Sequence, residues 1–297
     1  MIEVKNLEKA YGAHQVLKGL SFKAEPGHVT GFVGANGAGK STTMKIIAGF
    51  ETADGGEAVV DGKPFAVAQS PTHVLGCCMG PEFLPMNMTG ADYLQYLCNS
   101  AGLKGVDIEE ALGSVGLGGA GNRKIKDYST GMKQRIGIAA ALLGNPDNLM
   151  LDEPVNGLDV DGIIWMRDLL RAQAAAGKTV LLSSHLMSEL EQVADRVVML
   201  KDGVVVQSGE INSMASDTGA EGLSVLIRSD ELTEVRTLLQ GADISFDEAQ
   251  DALLVHGVEA KELGRMVYAE GFSLNHLETH RRSLEDIFLD AKEAGNE

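Results

Sequence analysis

The chain has 297 residues, 44% of them apolar, and carries 42 acidic against 25 basic side chains, a net charge of −17. That length allows one large domain plus a small one, and the acidity, with no run of Lys or Arg, argues against a nucleic-acid partner. No segment reaches the ~18 uncharged apolar residues of a membrane span, and the opening MIEVKNLEK lacks a signal-peptide core, so a soluble cytoplasmic chain is expected.

IEVKNL and VLKGLSFKA alternate apolar and polar residues, predicting antiparallel strands at the N-terminus. HVTGFVG predicts a buried strand, STTMKIIAG a helix closed by Gly49, and EAVVDG a strand with its turn. VLGCCM follows. Cys77, Cys78 and Cys98 are an odd set without a CxxC, so buried thiols are expected rather than disulfides or zinc ligands. From about 85 to 128 the apolar spacing turns helical, as in ADYLQYLCNSAGL and IEEALGSVGL. STGMKQRIGIAAALLG opens another helix, NLMLDEP reads as a strand, IIWMRDLLRAQAAAG as an amphipathic helix and TVLLSSH as a strand. SELEQVADR predicts a helix, and VVMLKDGVVVQSG a hairpin turning at Asp202-Gly203. The alternation argues for an α/β core with a mostly parallel sheet. A linker is expected near Asn212 to Gly222, dividing 1–215 (helical subdomain about 85–145) from a small α+β extension over 216–297.

Two stretches carry chemistry. Gly34, Ala35, Asn36, Gly37, Ala38, Gly39, Lys40 and Ser41, followed by Thr42, match GxxxxGK[ST] between a strand and a helix. Glycines let backbone N–H groups wrap phosphates, Lys40 supplies a point charge to the β- and γ-phosphates, and Ser41 a hydroxyl to Mg²⁺. Asp152 and Glu153 end an apolar strand. One of them is expected to hold the Mg²⁺ shell and the other to accept a proton from water. Adjacent strand residues point to opposite faces, so the division requires a turn there.

GANGAGKST, YSTGMKQR, LMLDEP, NGLD and SSH, in that order, resemble the nucleotide-binding subunit of an ABC transporter over roughly residues 1 to 215. The resemblance implies a P-loop NTPase fold and a head-to-tail dimer, with each ATP lying between the phosphate loop of one copy and the signature helix of the other. It makes Ser129 and Gly131 ligands of the partner's γ-phosphate and Tyr11 the adenine-stacking aromatic. Asp152 becomes the Mg²⁺-side acid, Glu153 the catalytic base, His185 the switch histidine, and Asp159 a contact to the opposite subunit. Three positions depart from the family pattern. Thr130 stands for a glycine, Ala35 for a proline, and Gly80 for the glutamine that would face Mg²⁺. The last implies weaker Mg²⁺ coupling unless Glu82 bends in to substitute. Phe83, Leu84, Met86 and Met88 fit either a surface for a membrane subunit or a subdomain core.

YSTGMKQR and the C-terminal Ser283-Leu284-Glu285-Asp286-Ile287-Phe288-Leu289 resemble drug- and bacitracin-resistance exporter subunits, implying an integral membrane permease as partner and a place on the inner face of the cell membrane. An import ATPase is the alternative, although the tail does not resemble the small β-barrels of sugar and metal importers. A soluble ABC ATPase is another, but the span from Lys40 to Ser129 holds no coiled-coil heptads and there is one nucleotide domain, not two.

Overall fold

The computed structural model describes residues 1–214, 224–249, 251–280 and 284–285. Two compact units divide it, 1–208 and 209–297. The expected linker falls largely outside the described residues, as does most of the C-terminal phrase beginning at Ser283.

In the first unit, β1 (Ile2–Tyr11), β2 (His14–Ala24), β3 (Val29–Gly34), α1 (Lys40–Ile47) and β4 (Gly55–Val60) come first in the chain. β1 pairs antiparallel with β2 on one side and β4 on the other. Next come α2 (Pro71–Val74), β5 (Leu75–Cys78), α3 (Gly90–Ala101), α4 (Ile108–Ser114), α5 (Thr130–Leu142), β6 (Asn148–Leu151), α6 (Val160–Ala175) and β7 (Thr179–Ser184). α7 (Met187–Leu190), β8 (Arg196–Lys201) and β9 (Val204–Glu210) complete it. A six-stranded sheet in the order β5-β6-β7-β3-β8-β9 holds the centre. β3 is buried along its whole length, as a strand flanked on both sides and covered on both faces must be. Phe32 at its middle is fully buried and lies 4.9 Å from the Phe22 ring, joining the two sheets in one core. Burying a side chain of this size contributes about 2 to 3 kcal/mol.

The helical subdomain closes around Leu94, Leu112, Ile125 and Ile136. Both stretches with helical spacing form helices, α3 and α4, the second shorter than its apolar pattern. α4 ends at Ser114, and the chain to Tyr128 runs in turns, which Gly116, Gly118, Gly119 and Gly121 favour. The helix expected over SELEQVADR is one short α segment. Beyond it, Asp195 exchanges backbone and side-chain bonds with Val29 at the start of β3, each 2.8 Å long.

In the second unit α8 (Ile211–Met214) leads to β10 (Ser224–Arg228), α9 (Leu232–Gly241), β11 (Phe246–Ala249), β12 (Ala252–His256), α10 (Ala260–Ala269) and β13 (His276–His280). The antiparallel order β11-β12-β10-β13 with this connectivity is the ferredoxin-like split βαβ arrangement. Val225, Ile227, Leu253 and Val255 face Val235, Leu239, Leu263 and Val267 of the two helices.

Candidate active site

β5, β6, β7, β3 and β8 run parallel, so their carboxyl ends share one edge, where open α/β sheets bind ligands. The phosphate loop follows β3 there, Asp152 and Glu153 follow β6, His185 follows β7, and Gly80 stands just past β5.

Gly34 closes β3 where a Cβ would stand 2.6 Å from the Leu200 carbonyl oxygen. Ala35, Asn36 and Gly37 form an exposed crest. Ala38 is buried, and its N–H turns back to Ala35 O at 3.1 Å, so that amide serves the loop itself. Gly39 has φ 107, a conformation that favours glycine, and a Cβ on it would meet Leu17 Cδ2 at 2.5 Å. The N–H groups of Lys40, Ser41 and Thr42 then open α1 without intrahelical acceptors. Together with the positive end of the helix dipole they suit an anion. Lys40 is 6% exposed, and its ammonium donates to Gly34 O at 2.7 Å.

Asp152 N–H donates to Cys78 O at 2.8 Å, continuing the β5–β6 ladder. The chain then turns, with Glu153 at φ 48, a region seldom used by residues with side chains. Ser183 ties the two acids together, its hydroxyl donating to Asp152 Oδ1 and accepting the Glu153 N–H at 2.9 Å. Glu153 reaches across to the first residue of α1 and to the residue that follows β7. Its Oε1 lies 3.8 Å from Lys40 Nζ, and its Oε2 accepts from His185 Nδ1 at 2.8 Å. A carboxylate only accepts, so this bond puts a proton on Nδ1. Lys40, Glu153 and His185 therefore meet at one point.

Gly80, at φ 116, is covered by a neighbour. A Cβ there would stand 2.6 Å from Glu82 Oε2 and 3.0 Å from Oε1, so the Glu82 carboxylate occupies the space of a side chain at position 80. Phe83 is 56% exposed, whereas Leu84 is buried in the subdomain core with Met86 packed against it. With Met88 half-buried, the four apolar residues are thus divided between surface and core. Burial pushes the Cys77 thiol up to about 12 and the Cys78 thiol up to about 11, with the Asp152 charge adding to both. Both stay protonated and unreactive near neutral pH.

Tyr11 ends β1 opposite His14, 47% exposed, with the Lys9 ammonium 5.5 Å from its ring centroid. Ser129 is the N-cap of α5 and accepts from Met132 N–H at 3.2 Å. A Cβ on Gly131 would stand 3.0 Å from Gly157 O, and one on Gly157 would stand 2.5 Å from Thr130 Cγ2, so the signature helix start and the NGLD turn are packed together. Asp159 caps α6, accepting from Gly162 N–H at 2.9 Å. No hydrogen bond or ion pair among the described residues joins Ser129 or Gly131 to the phosphate loop.

Sequence reasoning missed Ser183. Its only signal was a hydroxyl at a strand end beside the expected switch histidine.

A family model described as ABC transporter matches residues 17–156, and a model described as a domain of unknown function matches 223–285. The lantibiotic transport ATP-binding protein SrtF of Streptococcus pyogenes is 33% identical over 236 residues, covering 80% of this chain and 100% of that protein. The bacitracin transport ATP-binding protein BcrA of Enterococcus faecalis is 32% identical over 306 residues, covering 97% and 95%. Among solved structures, an ATP binding subunit of an ABC transporter superposes with a TM-score of 0.64 at 27% identity, covering 73% of this chain and 92% of that one.

Proposed function

The chain belongs to the family of ABC transporter ATP-binding proteins, and from that premise we propose that it hydrolyses ATP to power export of a compound through a separate membrane permease. The carrying observation is the meeting of Lys40, Glu153 and His185 at the strand edge next to the phosphate loop. The export reading draws on relatives of near full-length match whose names specify lantibiotic and bacitracin transport. The second unit, an open four-stranded sheet and not a barrel, is in keeping with it. No helix among the described residues is long and apolar enough to cross a membrane, and the proposal assigns the route through the bilayer to the permease.

The backbone of Gly37, Gly39, Lys40, Ser41 and Thr42, with Asn36 at the crest, cradles the phosphates, and Tyr11 stacks on adenine. Glu153 accepts the proton of the attacking water, and His185 holds its carboxylate in place from Nδ1. Lys40 absorbs charge developing on the γ-phosphate. Ser129 and Gly131 serve the ATP of a second copy arranged head to tail.

The oxygen donors fit Mg²⁺. Ser41 is exposed at the start of α1 and the Asp152 carboxylate is fixed by Ser183, a hard-oxygen set of the kind Mg²⁺ takes. Bound there, Mg²⁺ supplies charge neutralisation at the phosphate oxygens. Glu82, whose carboxylate fills the space over Gly80 just past β5, is the residue we propose adds a carboxylate to this set. Mn²⁺ binding to the protein loaded with a non-hydrolysable ATP analogue, followed by electron paramagnetic resonance, is expected to weaken about tenfold in Glu82→Ala. An unchanged Mn²⁺ affinity would place that carboxylate outside the metal shell.

The proposal as a whole is tested by affinity capture from gently solubilised membranes. A co-purifying protein with several spans of about 20 apolar residues is the expected result. A purely soluble partner set with ATP turnover intact would move the chain to a non-transport role.

A further inference from the structure

The second unit carries a cavity of about 490 Å³, a size that suits a small molecule. The ATPase chemistry does not use it. β13 and the chain just before it supply the floor. Leu277 pairs with the buried Ile227 of β10, so it points to the sheet face that packs against α9 and α10. β13 is the outermost strand of that sheet, and Leu277 there stays 39% exposed. Phe272 and Leu274 complete the apolar floor.

α10 supplies the wall. Leu263 and Val267 turn one stripe of this helix into the core. Lys261, Gly264, Arg265 and Tyr268, spaced at i, i+3, i+4 and i+7, form a second stripe that lines the cavity. Gly264 keeps the space open. Glycine is disfavoured inside a helix, yet a Cβ on this one would stand 3.1 Å from Leu277 Cδ2. A larger side chain at 264 would project into the gap between α10 and Leu277.

Charge sets the class of ligand. Acidic residues outnumber basic ones over 224–280, where Arg228, Arg236, Lys261 and Arg265 are the only Lys and Arg. Lys261 and Arg265 both line the cavity, and among the described residues no acidic one does. Arg236 is paired with Glu248 at 3.1 Å. By contrast, no hydrogen bond or ion pair among the described residues engages Lys261 or Arg265. Both are exposed and stand one helical turn apart, so one anionic group can bridge them. The floor beside them suits a hydrocarbon body.

We propose that this cavity binds a small amphiphilic anion, its anionic head held between Lys261 and Arg265 and its hydrocarbon body laid over Phe272, Leu274 and Leu277. The site does not depend on the ATPase reading.

The test is calorimetric titration of the full chain with octanoate, octanol and octylamine. A saturating non-hydrolysable ATP analogue is kept present, so that the phosphate loop is not free to take the anion. One-site binding of octanoate is expected, at least about tenfold tighter than octanol, the scale of a charge-assisted bond over a neutral one. Octylamine should bind no better than octanol. Lys261→Glu combined with Arg265→Glu should reverse the order and favour octylamine. Gly264→Leu, which fills the cavity, should abolish binding of all three. Melting temperature reports whether each variant is folded, and if Gly264→Leu fails to fold, the reversal still decides. Absence of saturable octanoate binding, equal affinity for octanoate and octanol, or a preference for octanoate that survives the double substitution would each overturn the proposal. A chain that shows the expected octanoate selectivity but does not bind the ATP analogue would count against the ATPase reading alone.

Discussion

Replacing Glu153 with glutamine is expected to lower ATP turnover by about 10²- to 10⁴-fold, the usual contribution of a general base, while leaving ATP affinity within about threefold of wild type. The separation of the two effects follows from the geometry. Glu153 touches the phosphate-loop lysine only at 3.8 Å, and the lysine has its own acceptor in Gly34 O at 2.7 Å, so the loop does not need the carboxylate to keep its shape. Glutamine matches glutamate in size, tolerates the φ of 48 no worse, and retains an oxygen for His185 Nδ1. What it loses is basicity. Turnover and nucleotide affinity measured on the same sample check this. Turnover at the wild-type rate would move the base to another residue, and Asp152, bridged to the Glu153 amide through Ser183, would be next.

What could be read from the sequence divides along a physical line. The phosphate loop was legible because its geometry is local: glycine spacing, a lysine and a helix start within a few residues fix it. That Asp152 and Glu153 point in different directions was legible only as a condition, that the chain must turn after Leu151. The turn is made by a left-handed glutamate, which no propensity predicts, and it is held by Ser183 from a different strand. The Glu82 carboxylate over Gly80 was hidden for a related reason: glycine permits a backbone at φ 116, but a glycine in the sequence does not say that the chain adopts it. Strand order was also out of reach. β3 lies between β7 and β8, both distant in sequence, and parallel pairing leaves no short-range turn signal. The short α7 was not legible either: helical spacing runs on to Arg196, while the chain is already tied to the start of β3 at Asp195.

The placement of Ser129 leads to the second large effect. It caps α5 and packs its helix start against the NGLD turn, away from any bond to the phosphate loop of its own chain. If each ATP is completed by the signature of a second copy, the two half-sites can be damaged separately and then recombined. Lys40→Ala removes the buried ammonium of the phosphate loop, and Ser129→Arg puts a bulky cation at an exposed helix start. Each variant alone leaves both sites of a symmetric dimer broken, and turnover is expected to fall to background. In an equimolar mixture, half of the dimers are mixed. Each mixed dimer has one site with both defects and one with neither, the intact phosphate loop facing the intact signature. Activity should return to about a quarter of wild type if the two sites work independently, and to nothing if both must fire together. Variants carrying fluorescent donor and acceptor labels report whether mixed dimers form. Mixed dimers that form but stay inactive would signal coupled sites, and a Ser129→Arg protein as active as wild type would remove the shared-site arrangement altogether.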